Sequence, residues 1–225
     1  MSYSQLINDL VANGVLKTDS IIAAFHKIDR SDFVLPEDRH QADIDAPLSI
    51  GHEATISQPT TVAIMIELLQ PQAGDKVLDI GSGSGWSAAL LSVCVGQQGQ
   101  VFGLERIEEL VTLAQANIRK IKLKNIKLIH GDGYQGLPAL APFNNIHVAA
   151  AVKEIPSKLI DQLADNGRMV LPVGHNIDND IRSHRRKLNI LLGDESLQDV
   201  VLLKKRSGKL IEERIPGFQF VPLVK

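Results

Sequence analysis

The apolar positions of this chain change their period along its length. Leu6, Ile7, Leu10 and Val11 recur at helical spacing, as do Ile21, Ile22, Phe25 and Ile28 after a Thr18-Asp19 start, which predicts two short helices within residues 3–35. A turn-rich connector is expected over Asp43–Pro59, then a helix over Thr60–Leu69 and a turn at Pro71–Asp75. From Val77 onward, short apolar runs alternate with longer amphipathic ones. Strands are predicted at Val77–Ile80, Gln100–Glu105, Asn125–His130, Ile146–Ala149 and Arg168–Val173, with helices at Ser87–Val95, from Glu108, and at Ser157–Leu163. Such alternation implies a parallel sheet covered on both faces. Leu188–Leu192, Val200–Lys204 and Phe218–Val224 then read as strands without helices between them, an antiparallel finish. The expected fold class is α/β: a Rossmann-like, doubly wound and mostly parallel sheet. One domain is expected, divided into an N-terminal cap with the connector (1–58), a core (59–175) and a β-rich C-terminal portion (176–225).

The stretch from Val77 to Trp86 carries the most chemistry. A buried strand with one acid, Asp79, runs into Gly81-Ser82-Gly83-Ser84-Gly85 and then into a helix. Alternate glycines let a ligand approach the backbone and tolerate positive φ. The spacing is G-x-G-x-G, with Trp86 at the third-glycine position of the dinucleotide fingerprint, which disfavours a nicotinamide cofactor. Neither a nucleophile elbow nor a triphosphate loop is present. Glu105 lies 20 residues after Gly85 at the end of the next strand, where a carboxylate can accept two hydrogen bonds from a ribose diol. Its competing role is a helix N-terminal acid. Asp132, in Gly131-Asp132-Gly133, ends a third strand, with a turn aspartate as the alternative. Three successive strand ends of this kind point to a nucleoside-bearing cofactor.

The bulk numbers narrow the picture. With 225 residues and 44% hydrophobic content the chain can bury a full core, and a formal charge of -2 gives no reason to expect nucleic acid. The basic runs Arg119–Lys127 and Arg182–Lys187 read as solvated faces. The single cysteine, Cys94, excludes an internal disulfide and is expected to be buried and inert. The seven histidines show no metal-ligand spacing, so no metal is expected, and His52 and His147 read as structural. No apolar run approaches membrane-spanning length and no signal peptide is visible, so the cytoplasm is the expected location and no membrane the expected partner.

Several separated segments resemble the protein-L-isoaspartate O-methyltransferases, a family of the S-adenosylmethionine-dependent methyltransferase fold. These are Pro47–His52 followed by Thr55-Ile56-Ser57-Gln58-Pro59, then Val77–Gly85, Gly131–Gly133, Ala141–Phe143, Glu154–Pro156, Pro172–Gly174 and Phe220–Leu223. The resemblance implies methyl transfer from S-adenosylmethionine to isoaspartyl residues of damaged proteins, with S-adenosylhomocysteine as product. It implies cofactor contacts from Asp79, Gly81, Ser82, Gly83, Ser84, Gly85, Glu105, Arg106, Asp132 and Gly133. Glu105 would hold the ribose, and Asp132 with Gly133 would flank the adenine. Ile56, Ser57, Gln58 and Pro59 would meet the acceptor, with Ser57 as the active-site serine. Ser57 also reads as an N-cap with proline in the first turn, and a helix N-terminus is itself a carboxylate site.

The chain departs from the family pattern at Glu53-Ala54, usually Gly-Gln; at Thr60, usually aromatic or similar; at Asn144, usually aspartate; at Ala149, usually threonine; and at Val152-Lys153, usually proline-rich. An anion at Glu53 should repel an acceptor carboxylate by ~1–4 kcal/mol if it stood 4 Å away. Two alternatives therefore stand beside isoaspartyl methylation: a paralogue methylating another carboxylate or a small molecule, and a catalytically silent binding module.

Overall fold

The computed structural model describes residues 2–174 and 197–224. The expected strand at Leu188–Leu192 and the basic run Arg182–Lys187 lie outside them. Two helices open the chain, α1 (Tyr3–Ala12) and α2 (Asp19–Lys27), and two 3-10 turns (Arg30–Asp32, Pro36–Gln41) lead into the connector. The connector holds a hairpin, β1 (Leu48–Gly51) with β2 (Ala54–Ile56), where only turns were expected. His52 and Glu53 form its tip, both with positive φ (53° and 58°), the backbone of a two-residue I′ turn. Neither residue belongs to the usual dipeptides for that turn, which is why the hairpin is hard to see in the sequence.

The core then alternates as expected: α3 (Pro59–Leu69), β3 (Lys76–Ile80), α4 (Trp86–Val95), β4 (Gln100–Glu105), α5 (Glu108–Lys120), β5 (Ile126–His130), β6 (Phe143–Val148), α6 (Ser157–Gln162), β7 (Leu163–Gly174), β8 (Gln198–Arg206) and β9 (Lys209–Phe218). One seven-stranded sheet runs β5-β4-β3-β6-β7-β8-β9, parallel through β7 and antiparallel for β8 and β9. The order reverses between β3 and β6, so a crevice opens beyond their carboxyl ends.

The last segment differs from the expectation. The final strand is β9, ending at Phe218, and most of Gln219–Val224 is irregular. β9 is exposed along nearly its whole length and rich in charge, so it lacks the apolar run that marks a buried strand. The apolar Val221–Val224 instead returns over the sheet, bonded to Ala151 through Ala151 N–H to the Val221 carbonyl and Leu223 N–H to the Ala151 carbonyl.

Helices α1–α5 share one core with Val77, Val101, Val170 and Val200 of one sheet face. Leu78, Ile80, Phe143, Ile146 and Leu171 build a second core on the other face with Leu159 of α6. Cys94 is buried, which pushes its thiol pKa up to about 12.

Candidate active site

A cavity of about 290 Å³ occupies the crevice. Its floor is the glycine loop, its walls are the ends of β4 and β6, and its roof is the hairpin with the returning tail. Gly81, Ser82, Gly83, Ser84, Glu105, Arg106 and Gly133 line it, as do Ile56 and Ser57. Asp79, Gly85, Asp132 and Pro59 are outside this lining, and Gln58 lines a second cavity beside Ser57.

The floor is built by the sheet. Gly81 N–H donates to the Leu104 carbonyl at 2.8 Å, and Gly83 N–H to Glu105 Oε2 at 3.0 Å. The second oxygen of Glu105 accepts from the N–H groups of Arg106 (2.7 Å) and Ile107 (3.0 Å). Glu105 thus ties the loop to the start of α5; Oε1 is doubly engaged, and Oε2 keeps one lone pair for a ligand. Gly85, at φ 91°, is the N-cap of α4, and a Cβ there would come 3.2 Å from Ala114 Cβ. From α5, the buried Asn117 donates to the Ser84 carbonyl at 3.1 Å. Asp132 accepts from Tyr134 N–H at 2.8 Å, so it shapes its own turn one position before the cavity-lining Gly133.

Asp79 is completely buried. Its Oδ2 accepts from the Ser87 hydroxyl at 2.7 Å, and its Oδ1 meets His147 Nδ1 at 2.6 Å from the facing position on β6. His147 lines the cavity and, among the described residues, its Nε2 has no partner; the Ser82 hydroxyl is likewise buried and unpartnered among them. Buried polar atoms left unmatched in a cavity wall cost about 1–3 kcal/mol each unless something bonds them. The floor therefore fits a polar ligand.

The roof is held differently. Arg30 is fully buried, and its guanidinium donates to the carbonyls of Ala42 (3.1 Å), Ile44 (3.1 Å), Ala46 (2.7 Å) and Ser57 (3.3 Å). It also stacks 5.4 Å from the centre of the Trp86 ring, at the start of α4. Burial lowers its pKa to about 10. One cation thus sets the path of the connector against the glycine loop. Nothing in the sequence marks it, because an arginine between Asp29 and Asp32 reads as solvated.

Ser57 departs from its N-cap expectation. Gln58 is the N-cap of α3 and Pro59 its first residue. The capping acceptor comes from the connector: Asp45 accepts from Thr60 N–H at 2.9 Å, from the Thr60 hydroxyl at 2.6 Å and from Gln58 Nε2 at 3.1 Å. The anion favoured at this helix start is therefore Asp45, which displaces the idea of the helix seating an acceptor carboxylate. Among the described residues the Ser57 hydroxyl makes no hydrogen bond. Ser57 stands where the main cavity meets a second one of about 630 Å³, lined by Pro47, Thr60, Phe218 and Phe220 among others.

The departures from the family pattern fall unevenly. Asn144 accepts from Lys76 N–H at 2.9 Å at the amino end of the sheet, far from the crevice. Val152 is buried and bonded to Pro172 and Gly174, and Lys153 is exposed. Glu53, Ala54 and Ala149 line the main cavity, and Thr60 the second. Glu53 is exposed at the hairpin tip, four residues of largely extended chain from Ser57. Four extended residues span at most about 13 Å between the two backbones, and the exposed carboxylate is screened by water and salt.

A family model described as protein-L-isoaspartate(D-aspartate) O-methyltransferase matches residues 1–192. A protein-L-isoaspartate O-methyltransferase of Fervidobacterium nodosum is 43% identical over 203 residues, 90% of this chain and 92% of its own length. One from Methanococcus aeolicus is 36% identical over 97% of this chain and 92% of its own. A Plasmodium falciparum structure assigned to the same activity, solved with S-adenosyl-L-homocysteine, superposes with TM-score 0.81 at 26% identity, covering 100% of this chain and 99% of that one.

Proposed function

The chain belongs to the protein-L-isoaspartate(D-aspartate) O-methyltransferase family and is an S-adenosylmethionine-dependent enzyme of that activity; we propose that the cavity floor holds the cofactor while the roof presents the acceptor. The acceptor is the free carboxylate of an isoaspartyl residue in a damaged protein or peptide, and its methylation starts repair. The compartment proposed for this reaction is the cytoplasm.

Bound S-adenosylmethionine supplies an electrophilic methyl group, which a carboxylate, ionised at neutral pH with a pKa near ~4, accepts without a general base. The protein's task is placement and exclusion of water. Glu105 would hold the ribose of the bound cofactor through the remaining acceptor site on Oε2. Gly81, Ser82, Gly83 and Ser84 receive the chain that leaves the ribose, Arg106 borders the nucleoside, and Gly133, shaped by Asp132, offers a flat wall to the adenine. Asp79 and Gly85 hold the loop from behind. On the acceptor side the Ser57 hydroxyl donates to the carboxylate, with Ile56 beside it, while Gln58 and Pro59 fix the start of α3. Val221–Val224 and Trp86 shut out water.

The observation that carries this reading is the unengaged Ser57 hydroxyl at the junction of the two cavities, one able to take the cofactor and the other a peptide. Methyl transfer from labelled S-adenosylmethionine to an isoaspartyl peptide, beside its normal aspartyl twin, tests it. Base-labile label on the isoaspartyl peptide alone is expected. Label on neither, with S-adenosylmethionine binding demonstrated separately, would overturn it in favour of another acceptor or a silent module.

A further inference from the structure

His147 and Asp79 form a buried pair that the placement of adenosine and acceptor leaves unused. They face each other across β6 and β3, with relative exposures of 1% and 0%, and Nδ1 lies 2.6 Å from Oδ1. A carboxylate at that distance fixes the hydrogen on Nδ1, so the neutral imidazole turns its Nε2 lone pair outward. That atom is buried, without a partner among the described residues, and belongs to a residue in the cavity wall. The Asp79 charge receives two hydrogen bonds, from Ser87 and His147. This part of the floor thus presents an acceptor atom backed by a hydrogen-bonded carboxyl group.

We infer that His147 Nε2 accepts a hydrogen bond from the α-ammonium group of the cofactor's amino-acid chain, with Asp79 fixing the ring. The inference rests on the cofactor reading above. Position favours it: Glu105 is on β4 and His147 on β6, two strand spacings apart across β3. A ligand anchored by its ribose at Glu105 and crossing the glycine loop brings its far end, about 10 Å away, over this pair. Sign favours it as well. A lone pair backed by a buried carboxylate attracts an ammonium group and repels the acceptor's carboxylate, so the pair also keeps that carboxylate on the Ser57 side. His147 is a positioning residue for the cofactor, a role beyond the structural one that its sequence context suggests.

His147→Asn separates this from a packing role, because the shorter amide can still donate to Asp79 but cannot reach the cavity. The binding of S-adenosylhomocysteine and of 5′-methylthioadenosine, which lacks the ammonium group, is followed through the single tryptophan, Trp86, in the cavity wall. The expected result is a tenfold or greater loss for S-adenosylhomocysteine, about 1.4 kcal/mol, with methylthioadenosine unchanged. Equal losses for both ligands, or none for either, would overturn the inference. So would unchanged S-adenosylhomocysteine affinity with a raised KM for isoaspartyl peptide, which would place the imidazole on the acceptor. Absence of S-adenosylhomocysteine binding by the unsubstituted chain would instead sink the cofactor reading beneath it.

Discussion

The floor and the roof of the cavity are held by opposite means. In the floor, the glycine loop hangs between two parallel strands, its backbone bonded to Leu104 and Glu105 and its carbonyl at Ser84 held from α5. In the roof, a hairpin of two short strands depends on one buried arginine and on Asp45, both distant in sequence from Ser57. The floor is local structure reinforced by a sheet. The roof is a short hairpin that sends Ile50 and Ile56 into the core, with its flanking chain fastened by Arg30 and Asp45. A cofactor site gains from rigidity, whereas a site that admits the many sequences flanking an isoaspartyl residue gains from a cover that depends little on its own side chains. The uneven departures agree: none replaces a glycine-loop residue, while Glu53 and Ala54 edit the roof.

Substitutions can break this contrast. The largest effect is expected for Gly85→Val in the floor. Both the left-handed φ of 91° and the 3.2 Å approach to Ala114 oppose a branched side chain. Calorimetric titration should find no S-adenosylhomocysteine binding, and the folded yield should fall. Next comes Arg30→Met, which leaves four carbonyls without their donor. A loss of about 2–4 kcal/mol in stability is expected by denaturant unfolding. At temperatures where the variant stays folded, kcat/KM for isoaspartyl peptide should drop far more than cofactor affinity. Equal losses would show that roof and floor are one unit. The smallest effect is expected for Glu53→Gln: an exposed, solvent-screened charge at the hairpin tip should change kcat/KM less than twofold at ~0.15 M salt, and slightly more at low salt. A tenfold gain would mean that the hairpin tip folds onto the acceptor.

The same contrast explains what could be read from the sequence. The alternating core was legible because each strand and helix declares its own period, and Gly81–Gly85, Glu105 and Gly133 follow from their places at strand ends. The hairpin was missed because His52-Glu53 is not a turn dipeptide. Asp45 as the cap of α3 lies 15 residues from its partner Thr60, and Ser57 held the local N-cap pattern instead. Arg30, His147 and Asn117 share a reason: each is a polar residue whose burial depends on contacts far along the chain. The tail was placed wrongly because Val221–Leu223 has the composition of a strand, while β9, exposed up to Phe218, does not.

The separate fastening of cofactor and acceptor is tested most directly by Ser57→Ala, measured twice on one preparation. Among the described residues the hydroxyl has no partner to lose, so stability and S-adenosylhomocysteine affinity should hold within about twofold. Turnover of isoaspartyl peptide should fall ~10–100-fold, the worth of one hydrogen bond to a charged group. A matching loss of cofactor affinity, or undiminished turnover, would contradict the account.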